Sequence, residues 1–251
     1  MNILAILQAR SSSSRLPRKV LLDIEGRPMI LRQIERLRRS ALIEKLVLAT
    51  SDDPSDDELA ATVAADGVPV HRGELDDVLA RFAGAAAPFA PAHVVRLTGD
   101  CPLADAAVID ATLRLHLDSG ADYTNNCETA TFPDGLDCEV MRYSCLLEAL
   151  GSASLKSQRE HVTPWLRQNS SYRRECLKNE VDLGYLRWTV DEPRDLEFVR
   201  TIYARLFSKK PGFGMADILE ILEKEPSLSS INGNILRNEG YLKSLQQDIR
   251  S

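Results

Sequence analysis

The chain has 251 residues, of which 44% are hydrophobic and 27% are charged, and its formal net charge is -6. These values are typical of a water-soluble protein with one large domain, and the negative charge argues against a broad nucleic-acid-binding surface. Every apolar run is shorter than the ~20 residues of a membrane-spanning helix. Five cysteines without a C-x-x-C spacing argue against a zinc knuckle and a disulfide framework, so we expect small buried residues.

Strand-like apolar runs alternate with helical periods in the first part of the chain. The first run, MNILAILQA, has no basic residue before it, so we expect no secretory signal and a cytoplasmic protein. The helical periods place apolar residues on one face, for example Leu79 and Phe82. Strands are predicted at 2–9, 45–50, 68–71 and 92–98, each followed by a helix. Four such units predict an α/β fold, with a mostly parallel sheet and helices on both faces.

The pattern changes after Tyr123. Turn residues dominate the next stretch, and a short strand-like run follows, which predicts a hairpin inserted at the sheet edge over about 123–142. Further elements are predicted as helices at 144–150 and 158–168, a strand at 185–191, a helix at 193–207 and two shorter helices after residue 212. We therefore predict a main domain over 1–210 and a helical C-terminal extension over 211–251.

The loop between the first strand and the first helix has an unusual composition. Four consecutive serines stand among Arg10, Arg15, Arg18 and Lys19. Ligands of open parallel sheets bind beyond the carboxyl ends of the strands, where this loop lies. Backbone N–H groups, hydroxyls and basic side chains together suit a triphosphate. The spacing matches neither a P-loop nor G-x-G-x-x-G, so the alternative is a solvated surface loop.

Two aspartates directly follow strand-like runs. Asp100 follows VVRLTG, and Asp191 follows YLRWTV. Carboxylates at the same edge of a sheet can share a hard cation such as Mg²⁺, which prefers a few carboxylates together with waters and phosphates. The alternative is that each aspartate caps the helix after it. A carboxylate pair facing a triphosphate loop accounts for both features at once.

The aspartate-rich turn SDDPSDD suggests the D-x-D motif of glycosyltransferases. Its position before a helix, with a proline inside it, favours helix capping instead. Trp188 lies within the predicted late strand, and we expect it in the core.

Six stretches of the chain resemble the cytidylyltransferases that activate sugar acids, of the acylneuraminate and 3-deoxy-manno-octulosonate type. The resemblance is closest to the spore-coat polysaccharide relatives and extends from Ile3 to about Leu206. The stretches are QARSSSSRLPRKVLLDIEGRPMI, RGELDDVLARF, RLTGDCPLAD, NNCETATFPDGLDCEV, REHVTPW and RWTVDEPRDLEFV. The resemblance implies a nucleotide-diphospho-sugar transferase (Rossmann-like) fold, making residues 1–210 a nucleotidyltransferase domain. It also implies Mg²⁺ and transfer of CMP from CTP to an acidic sugar with release of pyrophosphate.

The same resemblance implies a set of site residues. The backbone of Leu7, Gln8 and Ala9 would border the base and ribose, and Asp100 and Asp191 would hold the metal. The phosphates would be held by Arg10, Ser14, Arg15 and Lys19, with Asp77 or Arg81 near the nucleotide. The candidates on the sugar side are Asn125, Asp134, Asp137, Glu139, Arg159 and His161. Of these groups, Arg10, Lys19, Asp100 and Asp191 would be catalytic.

Several alternatives stay open at the level of sequence. His161 lies beside Trp165 on a predicted helix and is either a packed structural residue or a catalytic one. Arg159 and Glu160 could form a solvated helix face. The chain could instead be a glycosyltransferase of the same fold or a non-catalytic nucleotide-binding module. The nucleotide base and the particular sugar are also open, and we expect a homodimer.

Overall fold

A computed structural model describes residues 2–235, 237 and 239–248 of the chain. The strands within these residues are β1 (Ile3–Gln8), β2 (Asp23–Ile24), β3 (Arg27–Pro28), β4 (Lys45–Ser51), β5 (Val70–Gly73), β6 (His93–Thr98), β7 (Tyr123–Asn125), β8 (Glu139–Arg142) and β9 (Arg174–Cys176). The helices are α1 (Met29–Leu37), α2 (Asp57–Ala65), α3 (Val78–Ala86), α4 (Ala106–Ser119), α5 (Tyr143–Ser152), α6 (Lys156–His161), α7 (Pro164–Gln168), α8 (Pro193–Leu206), α9 (Met215–Lys224) and α10 (Glu239–Asp248).

Seven of the strands form one sheet in the order β5-β4-β1-β6-β8-β7-β9. Strands β5, β4, β1 and β6 are parallel, whereas β8 is antiparallel to both of its neighbours. Successive side chains of β1 point to opposite faces, so Ala5 and Leu7 pack with one core cluster and Leu4 and Ile6 with the other. Helices α1, α4 and α8 cover the first face, and α3 and α5 cover the second. The predicted parallel sheet with helices on both faces is confirmed.

The predicted hairpin is present, but its place in the sheet differs from the prediction. Strand β8 pairs with β6, and β7 lies between β8 and β9. The hairpin is therefore interior to the sheet, and β9, which the sequence analysis did not predict, forms the edge. Asn126 closes the long connection 126–138, because its side chain donates to the Leu136 carbonyl and accepts from the Cys138 N–H, both at 2.8 Å.

The predicted strand at 185–191 is wrong. The segment is extended but makes only one isolated bridge, between Arg187 and Asp134. Its backbone hydrogen bonds go to loops, since the Trp188 N–H donates to the Asp134 carbonyl at 2.6 Å and the Val190 N–H donates to the Asp100 carbonyl at 2.8 Å. Apolar alternation therefore reflects burial between two loops, and Trp188 is fully buried as expected.

The predicted helix at 158–168 is broken into α6 and α7. Val162 adopts φ of +68° between them, and Pro164 cannot continue the preceding hydrogen-bond ladder because it has no N–H. The break turns α7 toward the sheet. Three of the five cysteines are buried and two are half-buried, and all five are unpaired.

Residues after Pro211 pack into the same core as α8. Phe213 and Ile218 are buried in the core on the α8 side of the sheet. The two predicted helices correspond to α9 and α10. Among the described residues, the helices lack the combination of length and apolar character that crossing a bilayer requires.

Candidate active site

A cleft with two compartments lies at the carboxyl ends of β1 and β6. The loop compartment, about 510 Å³, is bordered by the serine loop and α3. The hairpin compartment, about 400 Å³, is bordered by the connection 126–138, by α7 and by the segment 187–191. The two share one wall, whose residues are Arg15, Arg96, Thr98, Asp100, His161 and Asp191.

The serine loop is fixed by a buried aspartate from the next strand–helix unit. The Ser11 N–H donates to Asp56 Oδ1 at 2.6 Å, and the other oxygen of Asp56 accepts from the backbone and hydroxyl of Ser51. The predicted helix capping by SDDPSDD is confirmed at Asp53, which accepts from the Ser55 N–H at 2.8 Å. Sequence analysis missed the role of Asp56, because a partner 45 residues away leaves no local pattern.

The ammonium of Lys19 lies between the carboxylates of the two predicted metal-binding aspartates. Its ammonium donates to Asp191 Oδ1 at 2.8 Å and to the Val190 carbonyl at 2.7 Å, and it lies 3.5 Å from Asp100 Oδ2. Burial alone would lower the pKa of Lys19, but the carboxylates of Asp100 and Asp191 outweigh burial and raise that pKa. Lys19 is therefore a fixed positive charge at the shared wall.

Asp191 is surrounded by cations. Arg187 Nη2 contacts one oxygen at 2.9 Å, and Arg15 Nη2 contacts the other at 3.1 Å. Burial would raise the pKa of Asp191, but Lys19, Arg15 and Arg187 together lower it. The carboxylate is therefore ionised at neutral pH.

Asp100 and Asp191 could instead have capped the helices that follow them, but other residues make those cap contacts. Asp105 caps α4 by accepting from the Ala107 N–H at 2.8 Å. Asp195, inside α8, accepts from the backbone N–H groups of Asp191 and Glu192, both at 2.9 Å. The capping alternative is thus wrong for both aspartates, whose side chains face the shared wall.

Gly99 allows the ends of β1 and β6 to approach closely. A Cβ at this position would lie 2.6 Å from the Cβ of Ala9, and the Gly99 N–H donates to the Gln8 carbonyl at 2.7 Å. Any side chain would therefore push Asp100 away from the serine loop.

A buried charge cluster forms one end of the hairpin compartment. Glu139 accepts hydrogen bonds from Arg96, from the Tyr123 hydroxyl and from Arg167 Nη2, the last at 2.6 Å. Burial would raise the pKa of Glu139, but Arg167 and Arg96 outweigh burial and lower it. Sequence analysis predicted Glu139 but missed both arginines. A charged residue inside the apolar run VVRLT was the available signal for Arg96.

A second pair of carboxylates, Asp134 and Asp137, lies across the same compartment. Arg187 Nη1 contacts Asp134 Oδ2 at 3.0 Å, and Arg237 Nη2 contacts Asp137 Oδ1 at 2.5 Å. Burial, followed by the charge of Asp137, raises the pKa of Asp134 to about 7. The compartment therefore contains the carboxylates of Asp134 and Asp137 as hydrogen-bond acceptors, in addition to the guanidinium groups of Arg96 and Arg167.

Most of the residues predicted for the site line the two compartments. The loop compartment receives Gln8, Ala9, Arg10, Ser14, Arg15, Lys19 and Arg81, and the hairpin compartment receives Asp134, Asp137, Glu139 and His161. Leu7 is fully buried in the sheet beneath them.

Besides Leu7, three predicted residues lie outside both linings. Asp77 caps α3 through the Ala80 N–H at 2.9 Å and pairs with Arg159, whose Nε lies 3.1 Å from it. Arg159 is thus a link between α6 and α3 and not a member of a solvated face. Asn125 stabilises the turn after β7, because its Oδ1 accepts from the Glu128 N–H at 2.7 Å.

His161 is packed against α10 and also lies at the cleft. It packs edge-on against Tyr241 with ring centroids 5.1 Å apart, and its Nε2 lies 3.0 Å from the Ser244 hydroxyl. It also borders both compartments. Burial, followed by the charge of Arg96, lowers the pKa of His161 to about 4, so the ring is neutral at neutral pH.

Comparisons with known proteins agree with this geometry. A family model described as Cytidylyltransferase matches residues 4–234. The spore coat polysaccharide biosynthesis protein SpsF of Bacillus subtilis is 32% identical over 237 residues, which cover 91% of this chain and 97% of that protein.

Solved structures with the same fold include two of particular interest. A cytidylyltransferase from Leptospira borgpetersenii superposes with a TM-score of 0.87 at 30% identity, covering 95% of this chain and all of that one. A CMP:2-keto-3-deoxy-manno-octonic acid synthetase complexed with CTP has a TM-score of 0.63 at 19% identity, covering 82% of this chain and 99% of that one, and shows the fold alone. The predicted nucleotide-diphospho-sugar transferase fold is confirmed.

Proposed function

Because the chain belongs to the cytidylyltransferase family and is a nucleotidyltransferase, we propose that it transfers CMP from CTP to an acidic sugar and releases pyrophosphate. One observation carries this proposal. The two compartments meet at a wall that holds Asp100 and Asp191, with the ammonium of Lys19 between their carboxylates. A reaction that joins two substrates requires such a junction, because the reacting atoms must meet in a fixed orientation.

The loop compartment supports the nucleotide part of the proposal. Arg10, Arg15 and Lys19 border it together with the serine loop, so cationic and hydroxyl groups face any bound phosphate chain. The octonic acid synthetase with this fold is described as complexed with CTP, which supports CTP as the nucleotide.

The hairpin compartment supports the sugar part. Arg96 and Arg167 lie at one end and can bind a carboxylate, while Asp134 and Asp137 can accept hydrogen bonds from sugar hydroxyls. SpsF is named for spore coat polysaccharide biosynthesis. We therefore propose that the product serves surface polysaccharide or glycan synthesis.

The residues of the shared wall fit a divalent cation. Asp100 and Asp191 supply two carboxylates, and the lysine ammonium already between them indicates a position that attracts positive charge. Two carboxylates are enough for Mg²⁺, since it takes its remaining oxygens from water and phosphates. When bound, Mg²⁺ would neutralise phosphate charge and lower the pKa of a bound hydroxyl.

The chain's own residues provide orientation and charge. In the proposed reaction the hydroxyl oxygen of the sugar bonds to the α-phosphorus, the bond from that phosphorus to the pyrophosphate oxygen breaks, and the hydroxyl proton passes to the solvent. Lys19 and Arg10 would offset the charge on the departing pyrophosphate. The pKa of His161, lowered to about 4, makes it a weak base at neutral pH. Positioning and neutralisation therefore account for the acceleration.

A screen of pyrophosphate release tests the proposal. The four nucleoside triphosphates are crossed with a panel of acidic sugars in the presence of Mg²⁺, and parallel reactions contain a chelator. We expect release only with CTP and an acidic sugar, and loss of release with the chelator. Release with the 1-phosphate of a sugar that has no carboxyl group would contradict the proposal that the acceptor is a sugar acid. A glycosyltransferase would consume a sugar nucleotide and make no pyrophosphate.

A further inference from the structure

Residues near the C-terminus reach the hairpin compartment. We define the C-terminal arm as residue 237 together with α10. Tyr241 of this arm borders the hairpin compartment and is absent from the residues that border the loop compartment. Its ring meets the ring of His161 edge-on, with centroids 5.1 Å apart. Of the two compartments, Tyr241 therefore borders the hairpin compartment.

Arg237 attaches the arm to the floor of the compartment. Its Nη2 contacts Asp137 at 2.5 Å, its Nη1 donates to the Phe132 carbonyl at 3.3 Å, and its Nε lies 3.7 Å from Asp134. The Arg237 side chain is only 16% exposed. Asp134 and Asp137 border the compartment, so Arg237 fixes two groups that face a bound sugar.

Helix α10 attaches the arm to α6. The Ser244 hydroxyl lies 3.0 Å from His161 Nε2 and donates to Glu160 at 2.9 Å. The Asp248 carboxylate accepts from the Ser157 N–H in the first turn of α6 at 3.0 Å. Attachments on opposite sides of Tyr241 therefore hold its ring at the compartment wall.

We propose that the C-terminal arm completes the acceptor compartment, with Tyr241 as a specificity-determining residue that contacts the sugar and Arg237 as a positioning residue for Asp134 and Asp137. This inference rests on the proposed function, in which the hairpin compartment takes the sugar. An aromatic ring beside a pair of carboxylates suits a sugar that presents a C–H face next to hydroxyl groups.

Steady-state kinetics on arm variants test the inference. The variants are Tyr241→Ala, Tyr241→Phe and Arg237→Gln, and the matched control is Gln246→Ala, an exposed position of α10. We expect Tyr241→Ala and Arg237→Gln to raise KM for the sugar by about tenfold, while KM for CTP changes less than about twofold. Tyr241→Phe should recover most of the loss, because it keeps the ring. The control should match the wild type.

Direct binding separates this inference from the proposed function. Calorimetry with N-acetylneuraminate, 3-deoxy-manno-octulosonate and CTP is performed on each variant. A wild type that binds a sugar without releasing pyrophosphate contradicts the proposed function, and weaker sugar binding by Tyr241→Ala still supports the arm. Wild-type sugar affinity in Tyr241→Ala and Arg237→Gln would overturn the inference. An equal loss of CTP and sugar binding would indicate a general structural defect and overturn it too. A wild-type protein that neither binds nor converts any of these sugars would contradict both the proposed function and the inference about the arm.

Discussion

Lys19 carries the positive charge at the junction of the two compartments. We expect Lys19→Ala to lower kcat/KM for CTP by at least ~100-fold, because a charged contact to the reacting phosphates is lost. Pyrophosphate release measures this effect. Arg18→Ala is the matched control, since Arg18 pairs with Glu58 and borders neither compartment. Equal rates in the two variants would place the serine loop outside the reaction.

The aspartate pair gives a second prediction for single residues. Asp100→Asn and Asp191→Asn should each remove most Mg²⁺-dependent activity, and the double variant should be little worse, because residues that act as a unit are not additive. Asp118→Asn, an exposed change on α4, should have no effect. Undiminished turnover in either single variant would refute a shared metal site.

The site residues that could be predicted are those next to strand ends. The serine loop and Asp100 lie where a parallel sheet collects its ligands, so chain order was sufficient for them. Asp134, Asp137 and Glu139 were predicted from the family resemblance alone. Arg167 and Tyr241 could not be predicted, because each reaches the cleft from a distant helix. Asp77 and Arg159 have typical site composition but bind each other, and sequence alone does not show which polar groups already have partners.

The connection 126–138 packs closely against the segment 187–191, and this contact shapes the hairpin compartment. Gly135 has φ of +114°, and a Cβ there would lie 2.6 Å from the Thr189 nitrogen. Gly135→Ala should lower the free energy of unfolding by at least ~2 kcal/mol, which chemical denaturation measures, and should also weaken sugar binding. Gly151→Ala, in α5 with open space around it, is the control. Equal stability of the two variants would contradict this role.

A buried histidine joins α4 to two strands of the sheet. His116 lies 3.0 Å from His93 on β6 and 3.0 Å from Thr124 on β7. Burial, followed by the charge of His93, lowers the pKa of His116 to about 4 from its usual 6.5. As the pH falls, the unfolded chain therefore binds a proton at His116 before the folded chain does. The stability that the neutral ring gives the folded state is complete above pH 6.5 and is lost as the pH falls toward 4.

Protonation of His116 should lower the free energy of unfolding by about 3 kcal/mol, since one pKa unit corresponds to about 1.4 kcal/mol. Unfolding by denaturant between pH 7 and pH 4.5 should show a steeper decline for the wild type than for His116→Gln. Parallel pH profiles would show that the folded-state pKa of His116 is unshifted.

Helices and parallel strands of the first half could be predicted, because each has a regular apolar period. The segment 185–191 has the same composition as a strand, yet its partners are the loops at Asp100 and Asp134. The period of apolar residues in a sequence indicates which side chains are buried, but it does not identify the hydrogen-bond partners of the backbone. The position of β9 depended on tertiary pairing with β7, so its short polar sequence gave no signal.

The whole molecule presents two compartments that meet at one wall, and that arrangement is the basis of the proposed reaction. A homodimer, a cytoplasmic location and a domain boundary at 210/211 stay predictions.

Transfer of the α-phosphate tests the central claim most directly. CTP labelled with ³²P at the α-phosphorus is incubated with Mg²⁺ and an acidic sugar, and the products are separated. We expect the label in a CMP-sugar and an equal amount of unlabelled pyrophosphate. Label that remains in CTP with every acidic sugar, or that appears only in free CMP, would contradict the account.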